Sequence, residues 1–192
     1  MGMNHSNPDD LGRLERRDGQ VLVTYTRRFP HPPGTVWRAL TEPDQLGAWF
    51  PTTIDGERAA GAALRFGFEN DEAPPFDGEM LVYEPPCSMT LRWGDEVLRF
   101  EVEAQGDGSV LTLTVTFDEV GKVARDGAGW HACLDLLGAV VAGHEAPWSS
   151  ADRWRDVHPT YVDRFGPEAS TIGPPEEWER VHGSADEAPE VT

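Results

Sequence analysis

The spacing of apolar residues along the chain switches between a period of two and a period near 3.6, and the switches divide the sequence into elements. Gly12 to Arg16 reads as a short extended arm and Asp18-Gly19 as a turn. Val21 to Thr26 is a β-rich strand that ends before Pro30. His31-Pro32-Pro33-Gly34 stops that strand and supplies prolines for a helix start, after which Val36, Trp37 and Leu40 fall at helical spacing and predict a short helix over 33–40. Thr41 with Asp44 resembles a capping box for a second short helix, closed by Trp49-Phe50 and stopped by Pro51. From Ala62 the period becomes two, with Leu64, Phe66 and Phe68 on one face. Strands follow from Phe76 to Tyr83, through Met89, Leu91 and Trp93, through Leu98, Phe100 and Val102, and from Leu111 to Phe117, with turns at Gly94-Asp95 and Gln105-Gly106-Asp107-Gly108. Ala124 to about Gly143 is too long for a strand and carries Trp130, Leu134, Leu137 and Val141 on one stripe, so it is the principal helix. Trp154 to Phe165 reads as another helix or a wrapping arm.

The predicted class is α+β: a curved antiparallel sheet wrapped around a long C-terminal helix, with two short helices after the first strand. That element order resembles the SRPBCC superfamily, which includes START domains, plant ligand carriers and polyketide cyclases. Pro32-Pro33-Gly34-Thr35-Val36-Trp37-Arg38-Ala39-Leu40-Thr41, followed by Leu46-Gly47-Ala48-Trp49-Phe50, is similar to the opening of the branch named for the activator of the heat-shock protein 90 ATPase. Gly129 to Leu137 looks like the start of that branch's last helix. The resemblance covers roughly Gly12 to His144 and implies a helix-grip domain with a cavity for a mainly apolar ligand. A fold does not by itself give a function.

Length and charge narrow the picture. At 192 residues and 39% apolar composition the chain suits one domain with a sizeable core. We expect residues 1–11 to be a flexible N-terminus and 12–166 to form the domain, with an extension from about 145. Residues 167–192 read as an acidic disordered tail with seven acids against one arginine. The net charge of −18 repels phosphate backbones and anionic membrane faces, so nucleic acid and membranes are not expected partners. The polar N-terminus and the lack of a long apolar run predict a cytoplasmic protein. Cys87 and Cys133 are expected to be free thiols, too few for a disulfide framework. No metal-ligand spacing, dinucleotide fingerprint or phosphate loop occurs, and no cofactor is implied.

Large rings dominate the inward positions. Trp49, Phe50, Phe66, Phe68, Trp93, Phe100, Trp130, Leu134 and Leu137 are the candidate ligand-binding residues, implied by the family resemblance to stand around a pocket that opens near Trp49 and Phe50. A filled core is the alternative, in which the same rings meet and Trp49 plugs the end. His131 and Asp135 sit at i, i+4; acid–base work is one reading, and a solvated surface pair worth a few tenths of a kcal/mol is the expected one. On that expectation alanine at either position costs less than about 1 kcal/mol. Arg65, Arg92 and Arg99 fall on the opposite face, beside Glu69, Glu79, Glu101 and Glu103, as a surface charge lattice. The expected function is binding of a small apolar or amphipathic molecule without catalysis, and no residue is assigned a catalytic role. A polyketide cyclase or hydrolase-like enzyme and a co-chaperone-like module with a protein partner are the alternatives.

Overall fold

The computed structural model describes residues 8–68 and 73–174. Eight antiparallel strands form one curved sheet: β1 (Arg13–Arg17), β2 (Gln20–Phe29), β3 (Thr53–Asp55), β4 (Ala63–Gly67), β5 (Phe76–Glu84), β6 (Ser88–Trp93), β7 (Glu96–Gln105) and β8 (Gly108–Phe117). Their spatial order is β1-β2-β8-β7-β6-β5-β4-β3, so the chain starts at one edge and returns strand by strand to the first hairpin. Helices α1 (Pro33–Thr41) and α2 (Pro43–Leu46) follow β2, α3 (Val123–Val141) lies in the grip, and α4 (Ser150–Phe165) packs on α3. The predicted helix-grip class is the observed one.

Strand parity places the core. Along β8, Ser109, Leu111, Leu113, Val115 and Phe117 are buried while the threonines between them are half exposed. Strands β6 and β7 add Met89, Leu91, Leu98, Phe100 and Val102 to the same inner face. Helix α3 buries residues nearly all round, with Trp130, Leu134 and Leu137 in the core and His131 fully buried. A helix with such a profile needs cover on every side, and α4 provides it through Val157 and Tyr161. Ser149 starts α4 with a reciprocal capping box to Asp152.

Several expectations change. The capping box expected at Thr41 and Asp44 does not form: Thr41 ends α1 and its hydroxyl donates to the Trp37 carbonyl at 2.8 Å, so it is spent on the preceding turn. The arm over 12–16 is a paired edge strand, β1. Phe68 lies just beyond β4. Part of the tail also belongs to the fold. Pro167–Ser170 forms a 3-10 turn with Ala169 fully buried, and the Ile172 amide donates to the Gly121 carbonyl at 3.0 Å. The flexible start is likewise shorter than expected, since Pro8–Asp10 forms a 3-10 turn whose Asp10 carbonyl accepts from Arg27. Residues 1–7, 69–72 and 175–192 lie outside the described residues, and with them the acidic loop before Pro74 and most of the tail. Cys87 and Cys133 are both free. On the outer face, Arg65 pairs with Asp77, Arg92 with Glu79 and Arg99 with Glu101, as a surface lattice requires.

Candidate functional site

The rings expected to line a pocket touch one another in a continuous ladder. Trp49 packs edge-on against Phe100 at 6.1 Å and against Phe50 at 5.3 Å, and Phe50 reaches Trp130 at 5.7 Å. Trp130 then meets Trp93 at 5.5 Å, Trp93 meets Phe76 at 5.3 Å, and Phe76 stacks on Phe66 at 5.2 Å with Phe68 beside it. The indole N–H groups are used as well, Trp49 donating to the Ala39 carbonyl and Trp93 to the Thr52 hydroxyl. Behind this ladder Phe66, Phe100 and Leu137 are fully buried.

Two shallow clefts remain where the mouth was expected, on either side of Pro51. One, of about 270 Å³, is lined by Trp49, Phe50, Leu136 and Cys133. The other, of about 330 Å³, lies between Trp93 and Trp130 and is lined also by Glu96, Lys122 and Cys133. Burial pushes the Cys133 thiol up to about 12, which leaves it inert as a nucleophile at neutral pH. Glu96 is different. It points inward at the start of β7 and its Oε1 pairs with Lys122 at 2.8 Å, while Oε2 is buried with no hydrogen-bond partner. Burial raises its carboxyl to about 7 against the pull of Lys122.

A larger groove, of about 860 Å³, opens at the other side of α3. Strand β1 pairs with β2 only as far as Thr24, so β2 from Tyr25 to Phe29 has no strand on that side. The groove runs between this free edge and the C-terminal half of α3, along Leu134, Gly138 and Ala142, and ends against Trp148 and Arg153. Leu134 is the one candidate residue on its wall.

Beneath the groove lies a polar network that corrects the reading of His131 and Asp135 as a solvated pair. Asp135 accepts from Arg27 at 3.0 Å on one oxygen and from Arg153 at 2.7 Å on the other. His131 is 0% exposed and its Nε2 lies 3.2 Å from the same carboxylate. Its Nδ1 is 3.0 Å from the Tyr161 hydroxyl, which in turn accepts from the Gly12 amide at 2.8 Å. Burial, reinforced by the two arginines, lowers the His131 pKa against the pull of Asp135. A neutral ring then donates Nε2–H to Asp135 and accepts the tyrosine proton at Nδ1. Burial alone would raise Asp135, yet the hydrogen bond from His131 and the charges of Arg27 and Arg153 hold it well below the ordinary carboxylate range. Sequence spacing hid this because α4, which supplies Arg153 and Tyr161, covers the helix face that spacing alone leaves to solvent.

Among the described residues no group of His, Cys, Asp and Glu side chains is placed to hold a metal ion, and no helix is long and apolar enough to cross a membrane. A helix-grip domain with an aromatic core and a polar-rimmed groove defines the class. The chain belongs to the family of activator of Hsp90 ATPase homolog 1-like proteins, whose model matches residues 30–142. Its fold is shared with a conserved protein of unknown function from Enterococcus faecalis, at 19% identity over 80% of this chain and 89% of the other with a TM-score of 0.67. CalU16 from Micromonospora echinospora shares it at 21% identity, 80% and 96% coverage and a TM-score of 0.64. DynU16, from the dynemicin biosynthetic locus, does so at 21% identity over 65% of this chain and 48% of its own, with a TM-score of 0.57. No curated protein matches the sequence.

Proposed function

We propose that the protein binds a small amphipathic molecule in the groove between β2 and α3 and does not transform it. The observation that carries this reading is the groove itself. About 860 Å³ is the size of a small-molecule site, and its wall joins the apolar Leu134, Phe29 and Trp148 to a few fixed polar groups. The family and the presence of a fold relative in a biosynthetic locus agree with a small-molecule ligand. The aromatic ladder serves this reading as a rigid support for α3, with Leu134 and Phe29 common to core and groove.

Gly138 offers a direct test. A Cβ added there meets nothing within 4 Å, so Gly138→Leu extends into open groove space without a backbone clash and exchanges glycine for a better helix former. Ligand recovered with the wild-type protein in native mass spectrometry should be absent from this variant, while its melting temperature stays the same or rises. Equal ligand occupancy in both proteins would move the site elsewhere, with the clefts beside Trp49, Phe50, Trp93 and Trp130 next in line.

A second reading, acid–base chemistry, is favoured by Glu96 alone. A carboxyl with a pKa near neutrality at the wall of an aromatic cleft suits proton transfer. Any turnover found should then vanish in Glu96→Gln and persist in Gly138→Leu.

A further inference from the structure

The groove has a charge character opposite to that of the chain. The protein carries −18, yet the groove is lined by Arg13, Arg27, Arg28 and Arg153 against Asp9, Asp10 and Asp135, an excess of one positive charge. The distribution within it matters more than the sum. Asp135 is already held by two arginines and His131. Arg13 and Arg28 stand exposed at the rim; among the described residues Arg13 makes no ion pair and Arg28 bonds only the Gln105 side-chain amide.

Two nitrogens of groove-lining residues are buried without a hydrogen-bond partner. Arg27 is 7% exposed and spends Nη1 on the Asp10 and Thr26 carbonyls and Nη2 on Asp135, which leaves its buried Nε with no partner. The buried Nδ1 of His31, another groove residue, also has none. A buried N–H left without a partner carries its full desolvation cost, which a ligand acceptor admitted by a small side-chain shift would recover.

Resting on the reading of the groove as the ligand site, we infer that it selects a molecule with a single carboxylate, whose charged head meets Arg27, His31 and the rim arginines and whose apolar body lies along Leu134, Gly138, Ala142 and Trp148. A carboxylate accepts from several N–H donors at once, and charge-assisted bonds are about twice as strong as neutral ones. One excess positive charge balances a monoanion; a phosphate monoester would bring a second negative charge that nothing in the groove matches. A cationic head would find Asp135 already saturated and, beside Asp9 and Asp10, four groove arginines to repel it.

The test measures affinities, by calorimetric titration of the full chain, for two matched probe series: decanoate, decanol and decylamine, and naphthoate, naphthylmethanol and naphthylmethylamine. In at least one series the carboxylate should bind about tenfold or more tighter than the alcohol, with the amine weakest. Arg13→Gln/Arg28→Gln changes only exposed side chains and should bring the carboxylate most of the way to the alcohol, while the alcohol's own affinity barely moves. Gly138→Leu should remove binding of all probes. If alcohols bind as tightly as carboxylates, the carboxylate inference falls and the groove reading stands. If no probe of either series binds, the groove reading falls and takes the inference with it.

Discussion

Asp135 carries its charge where β2, α3 and α4 meet, with Arg27 and Arg153 each less than one-tenth exposed. Breaking a buried pair from one side costs about 3–5 kcal/mol, because the remaining charges stay buried without a counter-ion. Asp135→Ala should lose about that much in urea denaturation; a loss under 1 kcal/mol would mean that the arginines swing into solvent. Acid acts on the pair in two windows. His131 is held neutral in the fold, so the unfolded chain gains protons first as pH drops below about 6.5 and stability falls there. Asp135 stabilises the fold above its unfolded pKa near 4 and surrenders that stability only as pH falls toward its lower folded value. Glu96 has the opposite sign. Its carboxyl is raised from 4.5 to about 7, so its burial costs nothing extra at pH 4.5 and costs up to about 3 kcal/mol once pH passes 7. Relative to Glu96→Gln, the wild type should therefore lose stability between pH 5 and pH 8, and parallel pH curves for the two proteins would contradict the buried-acid account. Strand parity makes both inward groups legible: Arg27 shares the face of Val21, Val23 and Tyr25, and Glu96 that of Leu98 and Phe100. A reading that ends one strand at Thr26 and begins the other at Leu98 passes over them, and no parity names a partner 108 residues away.

At the scale of elements, the family match stops at residue 142, yet α4 and β1 complete the body. Gly12 fits against the sheet so closely that a Cβ there would lie 2.6 Å from the Val23 side chain and 2.7 Å from the Tyr25 ring. That approach brings its amide to the Tyr161 hydroxyl and joins the arm to α4. Tyr161→Phe removes an acceptor for one buried group and a donor to another, and should cost about 1–3 kcal/mol. A chain ended after His144 loses Arg153, Val157 and Tyr161 together, exposes the far side of α3 and leaves Asp135 with half its arginines. We expect that chain to show no cooperative thermal transition in near-ultraviolet circular dichroism. The sheet and α3 were readable because long alternating runs and a long apolar stripe are local signals. Helix α4 was only half readable: its buried residues Arg153, Val157 and Tyr161 include a charge and a phenol, which dilute the apolar stripe a sequence pattern depends on.

For the molecule as a whole, the net charge of −18 and a groove with one excess positive charge act over different distances. A carboxylate far from the surface meets mainly the body's repulsion; within a few ångströms of the groove it meets Arg13, Arg28 and Arg27. Salt separates the two effects. The screening length is about 30 Å at 0.01 M ionic strength and about 8 Å at 0.15 M, so added salt removes the distant repulsion first and weakens the close, partly buried contacts less. The association rate of a carboxylate ligand should therefore rise with salt over this range, contrary to the usual fall for electrostatically steered partners. Stopped-flow tryptophan fluorescence with naphthoate, followed against Trp148 at the groove wall, gives the rate at each ionic strength, and the matching alcohol serves as the uncharged control. A carboxylate rate that fell with salt while the alcohol rate stayed level would mean that the groove's arginines dominate the field well beyond the surface. The acidic body would then be a solubility feature, with no part in how ligand arrives.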